Sequence, residues 1–351
     1  MKNKISAWIV IAIASLAAFN ASGSLHLALL LAFVLAALLT PLRNLELLRD
    51  NTVDAELNLN VILDAAISAF RRAVFPITMF ASVFRNVQLK GTNKVAVPYY
   101  PLEGSASRDF DQADGYVFDD DSATQMKEVT VNKRKYQPLH FTSSELARIP
   151  YLNAQKLGAL KGEKLAYDVL VDILSLVTNA NYGTAIFTGA ASGFDSDDVV
   201  DIRTALNKVP WPMSGRGLMV NPDYDGALLK DASFKAAYAL GSDVAVRTGQ
   251  LPNIFGFEYA TSNAVPGNSE NLIGFAAYMS AVLVVFSPIE PAESIKKLLV
   301  DYQIATDPDT QISIEYRHWG DPGSDTDKRV LEVNYGYDKG EAAALKRMVS
   351  A

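Results

Sequence analysis

The segment from Val87 to Ile149 constrains the fold more than any other part of the chain. Two stretches in it, Lys94–Tyr100 and Lys127–Lys133, alternate their side chains with a period of two, which is typical of strands that present different residues to two faces. Both stretches flank a single loop, and the second leads into a long helical pattern. They therefore predict an extended antiparallel hairpin.

The loop between the two strands is strongly acidic. Arg108 is its only basic residue, whereas seven carboxylates occupy Glu103, Asp109, Asp111, Asp114, Asp119, Asp120 and Asp121. Charges at this density are too costly to bury unpaired, so the loop must lie in water or against a basic partner. A solvated surface loop is the simplest interpretation. A loop of about 25 residues without secondary structure is uncommon in compact domains, however, and such loops are more often functional.

The composition is that of a globular protein without specificity for a nucleic-acid sequence. With 351 residues, of which 49% are hydrophobic and 20% charged, the chain is long enough for two or three packed domains. The net charge of -7 and the lack of a Lys- and Arg-rich block argue against direct reading of DNA or RNA. Because the sequence has no cysteine, disulfides and thiolate metal sites are excluded. Stability must come from packing and association.

No set of residues in the sequence predicts catalysis. The three histidines, His26, His140 and His318, include no pair at the i, i+4 spacing of a zinc-binding helix. We place His26 in an apolar segment and the other two at strand or loop ends. The sequence also contains no phosphate-binding loop, nucleophile elbow or dinucleotide-binding glycine motif. We therefore expect a protein that is not an enzyme, with no catalytic, cofactor-binding or metal-binding residues.

The first 44 residues are unlike the rest of the chain. Residues 5–19 and 25–40 are almost wholly apolar and predict two helices, each shorter than the roughly 20 residues that span a bilayer comfortably. Three interpretations remain open. They are a secretory signal that follows Lys2 and Lys4, a helical hairpin in a membrane, and a helical hairpin buried among copies of itself.

The remaining pattern predicts an α+β fold. The apolar spacing from Leu157 to Val177, after an opening at Ser143, predicts a long amphipathic helix with a break at Pro150. The other predicted elements are a helix ending near Pro76, a helix over 199–206 capped by 195–198, a buried strand over 217–222, a helix over 222–230, one or two strands within 271–287, and a hairpin of 311–317 with 329–335.

This order of elements resembles the major capsid proteins of tailed bacteriophages, which share the fold named after phage HK97; the P22 coat-like branch is one alternative within them. Two local motifs carry the most specific part of the resemblance. They are Gly217-Leu218-Met219-Val220-Asn221-Pro222-Asp223-Tyr224, a strand ending in Asn-Pro before a helix, and Gly249-Gln250-Leu251-Pro252-Asn253-Ile254-Phe255-Gly256-Phe257-Glu258, which leads to the next strand. The resemblance covers residues 45–337.

The resemblance implies an HK97-like capsid fold divided into six parts. These are an apolar amino-terminal helical segment (1–44), an N-arm (45–86), an extended β-hairpin called the E-loop (87–137), a peripheral domain with a long spine helix (138–194), an axial α/β domain (195–298), and returning peripheral strands with the carboxyl terminus (299–351).

The resemblance also implies a function. A coat protein of this family assembles through pentamers and hexamers into an icosahedral shell around double-stranded DNA, so we expect the chain in the virion after assembly in the host cytoplasm. The implied partners are further copies of the chain, DNA held without sequence specificity on the inner face, and scaffolding, portal and decoration proteins. Residues 5–40 leave contact with a membrane open. An encapsulin-like compartment and a membrane-tethered or secreted protein are the alternatives.

We place the intersubunit contact at the acidic hairpin. The hypothesis is that the loop carboxylates lie near arginines of a neighbouring copy. The carboxylates are Asp109, Asp111, Asp114, Asp119, Asp120 and Asp121, and the candidate arginines are Arg71, Arg72, Arg134 and Arg148. Because an exposed ion pair contributes only about 0–1 kcal/mol, such contacts would set the register of assembly more than its strength.

Overall fold

A computed structural model describes most of the chain after residue 58. The described residues are 59–85, 93–99, 109–110, 112, 116, 125–148, 154–208, 212–235, 251, 253–265, 268–308 and 310–351. The apolar helices predicted within residues 1–44 lie outside them, as does most of the acidic loop. No helix within these ranges combines the length and apolarity needed to cross a membrane.

Helices and strands alternate along the described chain, which confirms the predicted α+β class. The α-helices are α1 (Leu59–Val74), α2 (Ser143–Arg148), α3 (Ala154–Leu174), α4 (Asn179–Tyr182), α5 (Ser196–Leu206), α6 (Pro222–Lys230), α7 (Ala232–Lys235) and α8 (Glu293–Lys296). The strands are β1 (Ala81–Arg85), β2 (Lys94–Tyr99), β3 (Gln125–Thr130), β4 (Lys133–Thr142), β5 (Phe187–Thr188), β6 (Arg216–Val220), β7 (Phe257–Thr261), β8 (Leu272–Tyr278), β9 (Val282–Phe286), β10 (Asp301–Thr306), β11 (Ser313–Asp321), β12 (Thr326–Lys339) and β13 (Leu345–Val349).

The larger sheet has six strands and is organised around β12. Its path is β1-β9-β12-β11-β10, and β4 pairs with β12 as well. The antiparallel pair of β11 and β12, which places Glu315 opposite Glu332, confirms the hairpin predicted from the alternation near residues 311–335. Strand β12 is long enough to pair with β11 over its first part and with β9 over its last part.

One face of the six-stranded sheet packs against α3, the predicted long helix. Leu165, Val169 and Ile173 of α3 are fully buried, as the apolar spacing predicted. The Tyr335 hydroxyl donates to the Asp172 carboxylate at 2.8 Å, and the same carboxylate forms an ion pair with Lys135 at 2.9 Å. Apolar burial and two polar contacts therefore fix α3 across strands β4 and β12.

The smaller sheet has five strands in the order β5-β13-β8-β6-β7. Strand β6 is buried along its whole length, and α5 and α6 cover the sheet through one apolar cluster. Asp195 caps α5 in a capping box with Asp198, and Asn221 caps α6 with Pro222 in its first turn. The structure thus confirms both predicted helix starts and the strand that ends in Asn-Pro.

Several strands differ from the sequence-based prediction, which included neither β1 nor β5. Strand β4 was not predicted, because only Leu139 is buried along it and its other residues are polar, aromatic or proline. Strand β9 falls within the predicted axial segment but lies in the sheet of β12, and β13 falls within the predicted peripheral segment but lies in the sheet of β6. The named domain boundaries themselves stay a prediction.

The placement of two histidines was wrong. His140 lies inside β4 and His318 lies inside β11, whereas we expected strand or loop ends. The His318 side chain contacts Asp327 across the pair at 2.6 Å. The sequence did not reveal this because β4 was not predicted and the strand predicted over residues 311–317 ended before His318.

Candidate functional site

The acidic loop is carried by a hairpin whose base is fixed to the six-stranded sheet. Strands β2 and β3 pair antiparallel with Lys94 opposite Thr130, which confirms the predicted hairpin. Val97 and Val129 on one hairpin face pack in a buried cluster with Leu283 and Val285 of β9. The base of the hairpin is therefore part of the core.

The hairpin base approaches β12 so closely that a side chain does not fit between them. A Cβ atom on Gly336 would lie 2.3 Å from the carbonyl oxygen of Thr130, far inside van der Waals contact. Nearby, Lys127 forms an ion pair with Asp338 at 3.3 Å. The hairpin therefore leaves the sheet from a fixed position.

The few loop residues that the structure describes are exposed. The side chains of Asp109 and Gln112 are exposed, and the rings of Phe110 and Tyr116 lie with their centroids 4.9 Å apart. Phe110 is 61% and Tyr116 79% exposed, so the loop presents an aromatic pair to solvent among its carboxylates. The predicted contact residues Asp111, Asp114, Asp119, Asp120 and Asp121 lie outside the described residues.

The four predicted arginines lie in different environments and do not form one cluster with the described part of the acidic loop. Arg71 and Arg72 are exposed in the last turn of α1. Arg71 reaches the buried Asp307 at 3.4 Å, and Arg134 on β4 pairs with Glu332. Arg148 ends α2, and its side chain lies outside the described residues. The proposed contact with a neighbouring copy stays a prediction.

Arg71 and Arg72 offer a matched pair of variants for testing how much the contact of Arg71 with Asp307 stabilises the chain. We expect Arg71→Ala to lower the free energy of unfolding of the unassembled chain by about 1 kcal/mol, because Asp307 loses a partner that is itself half exposed. Arg72→Ala, on the solvent side of α1, should leave unfolding unchanged. Urea denaturation of both variants measures this, and equal effects would contradict the assigned Arg71 contact.

A row of four charged side chains, three of them largely buried, crosses the face of the six-stranded sheet opposite α3. Glu315 and Glu332 stand directly opposite each other on β11 and β12, which would be repulsive without counter-charges. Arg317 contacts Glu315 at 2.9 Å and Glu332 at 3.4 Å. Arg134 closes the row with two hydrogen bonds to Glu332, at 2.7 and 2.8 Å. We call Arg134, Glu332, Arg317 and Glu315 the charge ladder.

The charge ladder binds the segment that follows β9 and leads to α8 and β10 of the same sheet. The backbone N–H of Ile289 donates to Glu315 at 2.6 Å, and Arg317 donates to the Ile289 carbonyl at 3.0 Å. Burial raises the pKa of Glu315 above its ordinary value, although Arg317 and the Ile289 N–H act to lower it. The hydrogen bonds from Arg134 to Glu332 raise the pKa of that guanidinium. Arg134 therefore remains a charged partner of Glu332.

Sequence reasoning found two strands of the ladder, β11 and β12, but neither β4 nor the ladder itself. The alternation of Ile314, Glu315, Tyr316 and Arg317 predicts that the charged positions face solvent. In the structure they are covered by residues 287–290, so that Glu315 is completely buried. One sequence signal for the buried ladder is a pair of opposite charges two residues apart on one strand, Glu315 and Arg317. A second is the carboxylate of Glu332 at the position that pairs with Glu315 on the next strand.

A second close contact joins α1 to α3. Cβ atoms on Gly158 and Gly162 of α3 would lie 2.3 Å from the carbonyl oxygens of Ile62 and Ala66 of α1. The two contacts are four residues apart on both helices, so the helices run in the same direction where they meet. Small residues at this spacing allow backbones to approach to the distance of Cα–H···O contacts. The crossing of α1 and α3 is therefore fixed by glycine.

Comparisons with known proteins identify the family of the chain. The model of a family described as phage capsid protein matches residues 143–331, more than half of the chain. A search of curated proteins finds no match.

Solved structures give similar chains at low identity. A chain from Mycobacterium phage Che8 is 17% identical with a TM-score of 0.47, over 74% of this chain and 85% of that one. A capsid chain of cyanophage P-SCSP1u is 13% identical with a TM-score of 0.49, over 77% and 86%. A chain from a virus-like particle of Pyrococcus furiosus is 12% identical with a TM-score of 0.46, over 82% and 97%.

Proposed function

The chain belongs to the phage capsid protein family, and on this premise we propose that its copies form an icosahedral shell of pentamers and hexamers in which the acidic hairpin joins neighbouring copies. As a capsid protein it has a structural role in the virion, which agrees with the prediction of a major capsid protein. The P22 coat-like branch stays a prediction. So do the N-arm, E-loop, peripheral and axial divisions.

The fixed base and exposed tip of the hairpin are the observation that supports this proposal. Val97, Val129 and Gly336 hold the base against the sheet, whereas Phe110 and Tyr116 in the loop are largely exposed to solvent. A rigid stem with an acidic, aromatic end is suited to contact another copy. A ring of identical copies closes when each contact repeats by rotation about one axis. The same contact therefore suits rings of five and rings of six copies.

The carboxylates of the tip contribute specificity more than affinity. Exposed ion pairs are worth about 0–1 kcal/mol each, whereas an obligate interface buries on the order of 2,000 Å² or more. Most of the free energy of assembly must therefore come from apolar contact between copies. The charges select the register in which that contact forms.

We assign the further partners by the same proposal. Double-stranded DNA lies against the inner face without sequence-specific contacts, since the chain is acidic overall with a net charge of -7. Scaffolding, portal and decoration proteins are the other proposed partners, assembly takes place in the host cytoplasm, and residues 5–40 are the segment proposed to meet a membrane. An encapsulin-like compartment is the alternative, which co-purification of an enclosed enzyme would favour.

Deletion of residues 103–121 tests the proposal. We expect the variant to remain folded and soluble but to form no shells, because the stem stays anchored while the contact is lost. Negative-stain microscopy counts the particles, and circular dichroism with thermal unfolding checks the fold. The matched control keeps the loop length and replaces residues 103–121 by glycine and serine, which should also fail to assemble. Intact particles from the deleted chain would overturn the proposal.

A further inference from the structure

The described part of the chain passes between the two sheets at three places. The first passage leads from α3 through α4 to β5, the second from β8 to β9, and the third from β12 to β13. The second passage is the shortest, because only Met279, Ser280 and Ala281 lie between its two strands. The other two passages both make hydrogen bonds to these residues.

The Ala281 carbonyl joins the three passages. It accepts a hydrogen bond from the Tyr182 hydroxyl of the first passage at 2.9 Å and another from the backbone N–H of Gly340 in the third passage at 2.8 Å. The backbone N–H of Glu341 donates to the Ser280 carbonyl at 3.0 Å. Tyr182, Ser280 and Ala281 are buried, and burial raises the pKa of Tyr182. The Tyr182 hydroxyl therefore keeps its proton and remains a donor at neutral pH.

The third passage lies against the second without space for a side chain. A Cβ atom on Gly340 would overlap the carbonyl oxygen of Ser280 and would crowd that of Ala281. Both are backbone atoms, so neither can rotate away as a flexible side chain would. Any residue other than glycine at this position must therefore separate the two passages. We call Tyr182, Ser280, Ala281, Gly340 and Glu341 the brace.

Arg347 of β13 fixes the short helix that carries Tyr182. Its guanidinium donates to the Gly183 carbonyl at 3.0 Å and to the Asn179 side chain at 3.2 Å, and it forms an ion pair with Glu270. The Glu270 carboxylate also accepts a hydrogen bond from the backbone N–H of Asn179 at 2.7 Å. Both ends of α4 are therefore tied to the smaller sheet, while Tyr182 in the same helix reaches the second passage.

Side-chain packing joins the sheets beside the brace. Phe80, which precedes β1, and Phe275 of β8 meet edge to face with their ring centroids 5.1 Å apart, and both are buried. The Phe80 carbonyl accepts a hydrogen bond from the backbone N–H of Val282 at 3.1 Å. A Cβ atom on Gly217 of β6 would lie 2.8 Å from the Cβ atom of Met79. Rotation of one sheet about the passages would therefore also separate closely packed residues.

We propose that the brace holds the two sheets at one fixed angle, so that the chain enters a larger assembly as a single body. A hinge needs a few residues whose backbone torsion angles absorb the motion. Here the passages are hydrogen-bonded to each other, and motion between them would leave the buried Ala281 carbonyl without donors, which is unfavourable. The inference concerns the single chain and does not depend on how the acidic hairpin contacts another copy. A change of chain shape during assembly must then occur outside these two sheets.

The distance between two spin labels tests the brace, because the chain contains no cysteine of its own. Gln303→Cys on β10 and Glu258→Cys on β7 place one label on each sheet, at residues that are exposed. Pulsed electron paramagnetic resonance should give a single narrow distance distribution in the unassembled chain. The same mean distance should be found in shells assembled from labelled chain diluted with unlabelled chain.

Variants of the brace supply the second measurement. Gly340→Ala in the labelled chain should broaden or shift the distance distribution, because the third passage is pushed away from the second. The control is Gly320→Ala on β11, where an added Cβ meets no atom within 4 Å, and it should leave the distribution unchanged. Tyr182→Phe removes one of the two donors to Ala281 and should broaden the distribution less than Gly340→Ala does.

Each outcome decides for or against the brace. Two distance populations in the unassembled parent chain, or a mean distance that differs between the unassembled chain and the shell, would overturn the inference. A folded Gly340→Ala chain with the parent distribution would show that these contacts do not fix the angle. If Gly340→Ala does not fold, the parent chain and Tyr182→Phe decide. Shells that form without residues 103–121 would overturn the proposed hairpin role and leave the brace unaffected.

Discussion

Replacing Gly162 with alanine is expected to destabilise the chain, although alanine is normally the better helix former. The added Cβ would lie 2.3 Å from the Ala66 carbonyl oxygen, and both atoms belong to helices that cannot bend locally. The helices must separate, which breaks the contact of α1 with α3. Overpacking of this kind typically costs about 1–3 kcal/mol. The matched substitution at Gly158, against the Ile62 carbonyl, should have a similar effect.

Gly226 provides the control for this prediction. It lies inside α6, and a Cβ added there meets no atom within 4 Å. Gly226→Ala should therefore raise the free energy of unfolding by about 0.5–1 kcal/mol, the ordinary gain of alanine over glycine in a helix. Thermal or urea unfolding of the unassembled variants measures the two shifts. Shifts of the same sign would contradict the close crossing of α1 and α3.

Local sequence patterns predicted the elements whose two faces differ. Period-two alternation identified β2, β3, β11 and β12, because each has a buried and a less buried face. Capping residues located the start of α5, where Asp195 accepts hydrogen bonds from the backbone of Asp197 and Asp198. Such signals act within a few residues and are therefore readable from one sequence.

Pairing between distant strands was not predictable in the same way. Strands β8 and β9 are both continuous apolar runs that are buried on both faces, so nothing in either pattern says that they lie in different sheets. Only three residues, Met279, Ser280 and Ala281, separate them. The membership of β13 in the smaller sheet depends likewise on partners far away along the chain. Tertiary context decides these choices, and local propensity does not.

The candidate site was predictable only in part for a related reason. The acidic loop is visible as a run of carboxylates, and its strands are visible by alternation. Arg134 joins the charge ladder only because β4 pairs with β12, and β4 itself lacks an apolar pattern. The approach of Gly336 to Thr130 is equally invisible, since a glycine in a strand has several possible causes.

Replacing Arg317 with methionine is expected to have the largest effect on stability of any single change on the ladder face. Its side chain is 13% exposed and contacts both Glu315 and Glu332, whose side chains are 1% and 5% exposed. Methionine keeps most of the volume but leaves two buried carboxylates facing each other with only Arg134 to neutralise them. Removing one partner of a buried charge pair typically costs about 3–5 kcal/mol. Replacing Glu315 with glutamine in the same chain should recover part of the loss, because it removes one of the uncompensated charges.

The loss of unfolding free energy in the Arg317→Met chain should depend on pH, and the buried carboxyls fix the direction of that dependence. Burial already raises the pKa of Glu315, and removal of Arg317 raises it further. A carboxyl whose pKa is higher in the folded than in the unfolded state binds its proton more tightly when the chain is folded. The free energy of unfolding of the chain therefore falls as pH rises through the interval between the two pKa values. The deficit relative to the parent chain should therefore be smaller near pH 5 than near pH 8. Urea unfolding of the unassembled chains at both pH values measures it, with Glu315→Gln/Arg317→Met as the control that should show a weaker pH dependence. A deficit that grows on acidification would show that Glu315 and Glu332 are not the charges that Arg317 compensates.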